Sequence, residues 1–301
     1  MNSISQQSVS QKMVYLNGEI LAIDDAHVSV MDRGFLFGDG VYEVIPVVGH
    51  KLLRQHDHFV RLQNSLNRIS LKNPLDETQW QLIFDELLEK NPGEERAIYL
   101  QISRGVYPLR DLAIINDELV DGSAEQYPAT VFVMILSVKK VDLSVVSAGI
   151  KAITIDDFRW DACDIKSTSL VANVMLKQQA VAADMDDAIL IKHGYVTEGT
   201  ASNLFLVKDK VLITPATGHQ LLSGITRELV IDLAKENAIE VIERPIAQAE
   251  LSEADEIWLT SSTREIAPVI QLDDKPVSNG VAGPMWQQMT QWYLQNKQAL
   301  L

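Results

Sequence analysis

One acid at the mouth of an apolar run constrains this chain more than any other feature. Glu198 opens Glu198-Gly-Thr-Ala-Ser-Asn203-Leu204-Phe205, and the run continues through Leu206 and Val207. A short apolar run bounded by polar residues reads as a buried strand. A carboxylate at its edge needs a cationic partner, because an unpaired buried charge is costly. The plainer alternative is a surface glutamate after the Lys192-His193-Gly194-Tyr195 turn. Downstream come Leu212-Ile-Thr214 and then Leu222-Ser-Gly224-Ile225-Thr226-Arg227, which opens a helix. The first N–H groups of a helix lack intrahelical partners and sit at the positive end of its dipole. Gly224, Ile225 and the Thr226 hydroxyl therefore suit an anion such as phosphate, although an ordinary helix start looks the same.

The rest of the chain supplies two cores. Its 301 residues exceed one ordinary domain. In the first half, Leu16-Asn-Gly18 marks a hairpin, and Tyr42 to Val48 reads as a strand whose Pro46 implies an edge or bulge. Helices are expected over 55–71, from Phe59, Leu62, Leu66 and Ile69, and over 77–90, from Trp80, Ile83 and Leu87. Ala97 to Ser103 alternates as a strand, and Ala129 to Val138 reads as a buried one. The second half alternates short strands, including 149–155 and 255–259, with helices near 169–184, 225–237 and 283–298. This pattern gives a disordered tail over 1–12, an N-terminal domain over 13–138, a polar linker over 139–146 and a C-terminal domain over 147–301. The expected site lies between the two domains.

Charge and cysteine usage narrow the partners. The formal charge is −15, from 26 basic and 41 acidic residues, which argues against nucleic acid or an anionic membrane surface. No apolar run approaches the roughly 18 residues of a membrane span. The polar N-terminus lacks a signal-peptide core, and the single cysteine, Cys163, permits no internal disulfide. A cytoplasmic protein is expected. The six histidines show no metal-ligand spacing, with His56 and His58 read as a pair at a helix start.

A second block, Arg159-Trp-Asp-Ala-Cys-Asp-Ile-Lys166, completes the chemistry. A lysine able to form a Schiff base, a carboxylate to pair with a pyridine nitrogen, and a helix start for a phosphate are the parts of a pyridoxal phosphate (PLP) site. Taken alone, Lys166 is one lysine among many. With Asp39-Gly-Val-Tyr42-Glu43 and Thr260-Ser-Ser-Thr-Arg-Glu-Ile-Ala-Pro268 in matching order, these blocks resemble the class IV aminotransferases, the fold-type IV PLP enzymes, and among them the D-amino acid transaminase group. The resemblance runs from about Val14 to Gln298.

It implies an α+β, two-domain fold with a smaller N-terminal α/β domain and a larger C-terminal pseudo-barrel domain. It also implies homodimers with each pocket bordered by the partner subunit. Carried over residue by residue, it makes Lys166 the catalytic lysine and Glu198 the partner of the pyridine nitrogen. Arg61, Gly224, Ile225, Thr226, Ser261 and Ser262 become phosphate contacts, with Arg61 as a bidentate guanidinium. Arg159, Ser202, Asn203 and Leu222 support the cradle, and Tyr42 lines the substrate pocket.

One segment departs from the pattern. D-amino acid transaminases carry an Arg-x-His pair that holds the substrate α-carboxylate. Aligned on Arg104-Gly105 and Pro108, those positions are Leu109 and Asp111 here, with Arg110 offset by one. The leading expectation is a transaminase moving an amino group from a D-amino acid such as D-alanine to a 2-oxo acid. An (R)-selective amine transaminase is the alternative that Leu109 and Asp111 suggest. A lyase of the aminodeoxychorismate type and a non-catalytic binding module rank below it.

Overall fold

The structure, a computed structural model, describes residues 12–114, 121, 123, 125, 127–138 and 146–301. Apart from Lys12, the expected tail lies outside these residues, as does the expected linker apart from Val146.

Two sheets organise the chain. The first is antiparallel throughout, in the order β2-β1-β6-β5-β3-β4. Its strands are β1 (Met13–Leu16), β2 (Glu19–Ala22), β3 (Gly40–Val48), β4 (Lys51–Leu52), β5 (Arg96–Ser103) and β6 (Thr130–Ser137). The β1–β2 hairpin turns on Asn17 and Gly18, both with positive φ, as a tight primed turn requires. Helices α2 (Gln55–Arg68) and α3 (Glu77–Lys90) cover one face. Phe59, Leu62 and Leu66 from α2 and Trp80, Phe84 and Leu87 from α3 pack there on Val41, Ile45, Ile98 and Val133.

The first half differs from expectation in two places. Strand β6 is not fully buried: it alternates, with Phe132, Met134 and Leu136 half-buried on the face away from the helices. Helix α2 stops at Arg68, short of Leu71, because Ser70 turns left-handed (φ 53°) and Arg104 donates to the Ile69 and Ser70 carbonyls. Pro46 fits its place, since β3 pairs with β4 only beyond it, at Val47 and Val48, and its missing N–H leaves no donor unpaired on that edge.

The second sheet is mixed. Its order is β12-β11-β10-β13-β14-β7-β8-β9, with β15 beside β14. The strands are β7 (Ile150–Asp156), β8 (Asp187–Lys192), β9 (Tyr195–Gly199), β10 (Asn203–Lys208), β11 (Val211–Thr214), β12 (Val241–Glu243), β13 (Glu256–Ser261), β14 (Glu265–Leu272) and β15 (Lys275–Pro276). The sheet curls so that β9 returns beside β10, where the Gly199 N–H donates to the Ser202 carbonyl at 2.6 Å. Inside the curl lie Leu204, Leu206, Ile213, Ile257 and Leu259. Outside, Phe205, Val207 and Trp258 pack under α5 (Ile225–Glu236) and α6 (Pro284–Gln298). Strand β10 is buried on both faces, hence its unbroken apolar run. Among the described residues no helix is long and apolar enough to cross a membrane.

Asp32 braces the first sheet. Only 1% exposed, it caps the short helix α1 (Arg33–Phe37) by accepting from the Gly34 N–H at 2.7 Å. It also accepts from the Ser103 hydroxyl on β5 at 2.8 Å and the Thr130 hydroxyl on β6 at 2.6 Å. Asp32→Ala removes a cap and orphans two buried hydroxyls, so urea unfolding should report a loss of about 2–4 kcal/mol. Unchanged stability would refute this bracing role.

Candidate active site

The segment before helix α4 (Val171–Ala182) docks on the free edge of β3. The Tyr42 N–H donates to the Lys166 carbonyl at 3.0 Å, and the Thr168 N–H donates to the Gly40 carbonyl at 3.0 Å. Val41 and Ser167 form an isolated antiparallel bridge between these contacts. From α2, the Ser65 hydroxyl accepts from the Lys166 N–H at 3.2 Å. The backbone of Lys166 is thus held from two elements, and its half-buried side chain reaches over Tyr42. The Nζ lies 4.1 Å from the Tyr42 ring centroid, a cation–π distance. Tyr42 is itself stacked on Tyr99 at 5.7 Å.

Glu198 is the penultimate residue of β9, and Asn203 begins β10 beside it. One Glu198 oxygen accepts from Arg159 Nη1 at 2.6 Å. The other accepts from Asn203 Nδ2 and the Leu222 N–H, each at 3.2 Å. Arg159 gives its Nε and Nη2 to Asp157, at 2.9 and 2.8 Å. One guanidinium therefore serves two buried carboxylates, and one negative charge is left over. Burial pushes the Glu198 carboxyl up from its ordinary range, against the pull of Arg159. For Asp157 burial acts in the same sense, but hydrogen bonds and charge from Arg159 outweigh it and hold the carboxyl below its ordinary range. The excess charge thus sits on Glu198, which lines the cavity.

Helix α5 begins at the same cavity. Gly224 caps it with no side-chain hydrogen bond, and Gly224, Ile225 and Thr226 face the open space. A Cβ on Gly224 would fall 1.9 Å from Asn203 Oδ1. Only glycine lets the helix start this close to the Asn203 that donates to Glu198. Arg61 also reaches the cavity, but not with the free bidentate fork expected of it. Its Nε and Nη2 are spent on Glu43, each at 2.8 Å, and its Nη1 donates to the Ser223 carbonyl at 2.9 Å. What remains for an anion is the spare N–H of each terminal nitrogen. Glu43 is fully buried on the helix-facing side of β3, where it also meets His58 Nδ1 at 2.8 Å. A charged residue inside the apolar strand 41–48 was the sequence signal for this cluster.

The cavity has a volume of about 570 Å³ and brings together most of the expected residues. Tyr42, Arg61, Lys166, Glu198, Ser202, Asn203, Leu222, Gly224, Ile225, Thr226, Ser261 and Ser262 all line it, as does Arg159. Leu109, Arg110 and Asp111 do not. They sit on an exposed loop beyond β5, where Arg110 stacks on Phe37 and the Asp111 carbonyl accepts from Arg33. The reason is that Arg33 and Phe37, at the two ends of α1, draw the loop to the outer side of that helix. Cavity residues that the sequence reading passed over are Asn173, Lys177, Asp187, Thr200 and Arg264.

The donor set fits the expected cofactor. A surplus buried carboxylate awaits a cation, a helix start with free N–H groups awaits an anion, and an amine lines the same cavity. The buried Ser202 hydroxyl, which lines it too, has no hydrogen-bond partner among the described residues.

The amino-transferase class IV family model matches residues 40–272. The D-alanine aminotransferase of Bacillus licheniformis is 36% identical over 272 residues, covering 90% of this chain and 92% of its own. That of Listeria monocytogenes serotype 1/2a is 35% identical over 286 residues, covering 94% and 95%. Among solved structures, the branched-chain aminotransferase of the archaeon Thermoproteus uzoniensis with norvaline superposes with a TM-score of 0.81. It is 26% identical and covers 95% of this chain and 94% of its own. A further branched-chain amino acid aminotransferase, from T.th., was solved with pyridoxamine 5'-phosphate and superposes with a TM-score of 0.84. It is also 26% identical, covering 95% and 93%.

The buried Glu43–His58 pair sets a pH dependence. Burial lowers the His58 pKa, with the positive charges of Arg61 and Lys166 adding to it against the pull of Glu43. Glu43 is held well below the usual carboxylate range, because Arg61 and His58 outweigh its burial. The unfolded chain therefore binds more protons than the folded one, below about pH 6.5 at His58 and below about pH 4.3 at Glu43. Stability falls with acidification through both windows. Glu198, raised, acts in the opposite sense as pH climbs past its ordinary value. Urea titrations from pH 7 to 5 should show declining stability, with a flatter slope in His58→Gln. An identical slope in that variant would exclude His58 as the source.

Proposed function

Since this chain belongs to the class IV aminotransferase family, we propose that it moves the amino group of a D-amino acid, D-alanine or one like it, to a 2-oxo acid at Lys166. Its cofactor is pyridoxal 5'-phosphate. The observation that carries the reading is the meeting of Lys166, Glu198 and the start of α5 around one cavity. The D-alanine aminotransferases, at about 35% identity over nearly the whole chain, supply the choice of donor.

When bound, the cofactor acts as an electron sink that acidifies the substrate Cα–H and carries the amino group between the two halves of the reaction. The roles of the side chains follow from their placement. Lys166 is the attachment point and the base that lifts and returns the Cα proton. Tyr42 holds its amine from below. Glu198, carrying the charge that Arg159 leaves uncompensated, keeps the ring nitrogen protonated. The N–H groups of Ile225 and Thr226, the spare N–H groups of Arg61 and the hydroxyls of Ser261 and Ser262 receive the phosphate.

Three further statements belong to this reading. The chain divides into domains over 13–138 and 147–301, each built on one sheet. It works as a homodimer, supported by the exposed Val171, Val174 and Met175 of α4, where Val174 also lines the cavity. It is a cytoplasmic enzyme, which suits a single, buried cysteine. An (R)-amine preference gains no support, because Leu109 and Asp111, which suggested it, stand outside the cavity.

The test is a coupled assay with D- and L-alanine and with both enantiomers of 1-phenylethylamine. Turnover should favour D-alanine, and Lys166→Ala should lose about 10²–10⁴-fold or more in rate. Borohydride-treated wild type should carry the cofactor on the peptide containing Lys166. Modification of another lysine, or a preference for L-alanine, would reject the assignment.

A further inference from the structure

Beyond the residues assigned to the cofactor, the cavity continues into a charged end lined by Asn173, Lys177, Asp187, Thr200 and Arg264. We propose that Lys177 and Arg264, arranged around Asp187, form the seat for a carboxylate group of the substrate. The proposal rests on the transaminase reading and names what that site selects.

Asp187 begins β8 and is 3% exposed. Its Oδ1 accepts from the Thr200 hydroxyl at 2.5 Å and from the Ala188 N–H at 2.9 Å. Arg264 comes from the β13–β14 turn and places Nη1 2.8 Å from Asp187 Oδ2. Lys177 comes from α4, with Nζ 3.6 Å from Asp187 Oδ1 and a hydrogen bond to the Asp186 carbonyl. Two cations thus converge from separate elements on one buried carboxylate, and among the groups lining the cavity here the positive charges outnumber the negative, although the Asp186 carboxylate also acts on Lys177. The Asp186 side chain does not line the cavity and instead accepts from the Lys151 N–H. Each cation keeps unused N–H donors, since one hydrogen bond from Arg264 and one from Lys177 engage protein acceptors among the described residues.

The cavity residues around Glu198 have surplus negative charge and suit a cationic ring, whereas Lys177 and Arg264 outnumber Asp187 and suit an anion. The cofactor phosphate has its own seat at the start of α5. The anions left in the reaction are the carboxylates of the amino and 2-oxo acids. Leu109 and Asp111, at the positions where the resemblance expects a carboxylate-binding pair, offer no cation, and neither they nor Arg110 line this cavity. The same chemistry could serve the α-carboxylate shared by all substrates or the distal carboxylate of a dicarboxylic 2-oxo acid.

Steady-state kinetics of the holoenzyme separate the two sources. D-Alanine is the donor, and 2-oxoglutarate and 2-oxobutyrate are compared as acceptors in wild type, Arg264→Gln and Lys177→Gln. Loss of a charge-assisted contact should lower kcat/KM about ten- to hundredfold, mainly through KM. A loss confined to 2-oxoglutarate assigns the seat to the distal carboxylate, and an equal loss for both assigns it to the α-carboxylate. Unchanged values for both acceptors in both variants overturn the proposal. Calorimetric titration of cofactor-loaded protein with glutarate reads the seat without turnover. Binding weakened in Arg264→Gln supports it even if wild type transfers no amino group, which would refute the transaminase reading alone. Equal binding in wild type and both variants overturns it. Arg264→Lys, which keeps the charge, should retain most of the affinity and exclude a folding defect as the cause.

Discussion

Two backbone hydrogen bonds along one strand edge hold the site together. Strand β3 is paired with β5 along its length and with β4 only at its far end, so the edge near Tyr42 is free. Unpaired edge groups must find partners. Here they find the stretch ending at Thr168, which belongs to the second half of the chain. The contact satisfies the edge, joins the two sheets and carries Lys166 with it. Because side chains alternate along a strand, neighbouring residues of β3 serve different ends: Tyr42 turns toward the lysine, and Glu43 turns toward α2 to hold Arg61.

Charge is distributed in the cavity without regard to the strongly acidic whole. At the Glu198 end, Asp157 takes two of the three nitrogens of Arg159, and the buried glutamate keeps a surplus that a cationic ring can answer. At the Asp187 end the balance is reversed. On the proposed reading, a pocket with surplus charge of opposite sign at two places orients a substrate that carries positive and negative groups before any chemistry begins.

The sequence made some of this legible and hid the rest. Glu198, Gly224 and the helix beginning at Ile225 could be read because each is a local signal: an acid against an apolar run, a glycine at a helix start, a change of period. The resemblance picked out Lys166, which composition could not. Partnerships made across space were hidden. Arg61 has the right side chain in the right place, yet Glu43 and the Ser223 carbonyl occupy most of its fork, and nothing on α2 announces them. Strand β6 read as buried because its residues are apolar, although one of its faces is only partly covered. The loop 109–111 follows α1 rather than the cavity because Arg33 holds its backbone, a long-range contact with no local trace. Asp187 and Arg264 meet across 77 residues of chain, which no spacing rule detects.

The bridge between Val41 and Ser167 has one more consequence. The backbone of Lys166 is anchored by main-chain pairing to the other sheet, so in the function proposed above the placing of its amine depends on both halves being docked. A nascent or damaged molecule whose halves have separated keeps its lysine but lacks the posture needed to react. In the proposed reaction, competence is thereby tied to completed tertiary assembly.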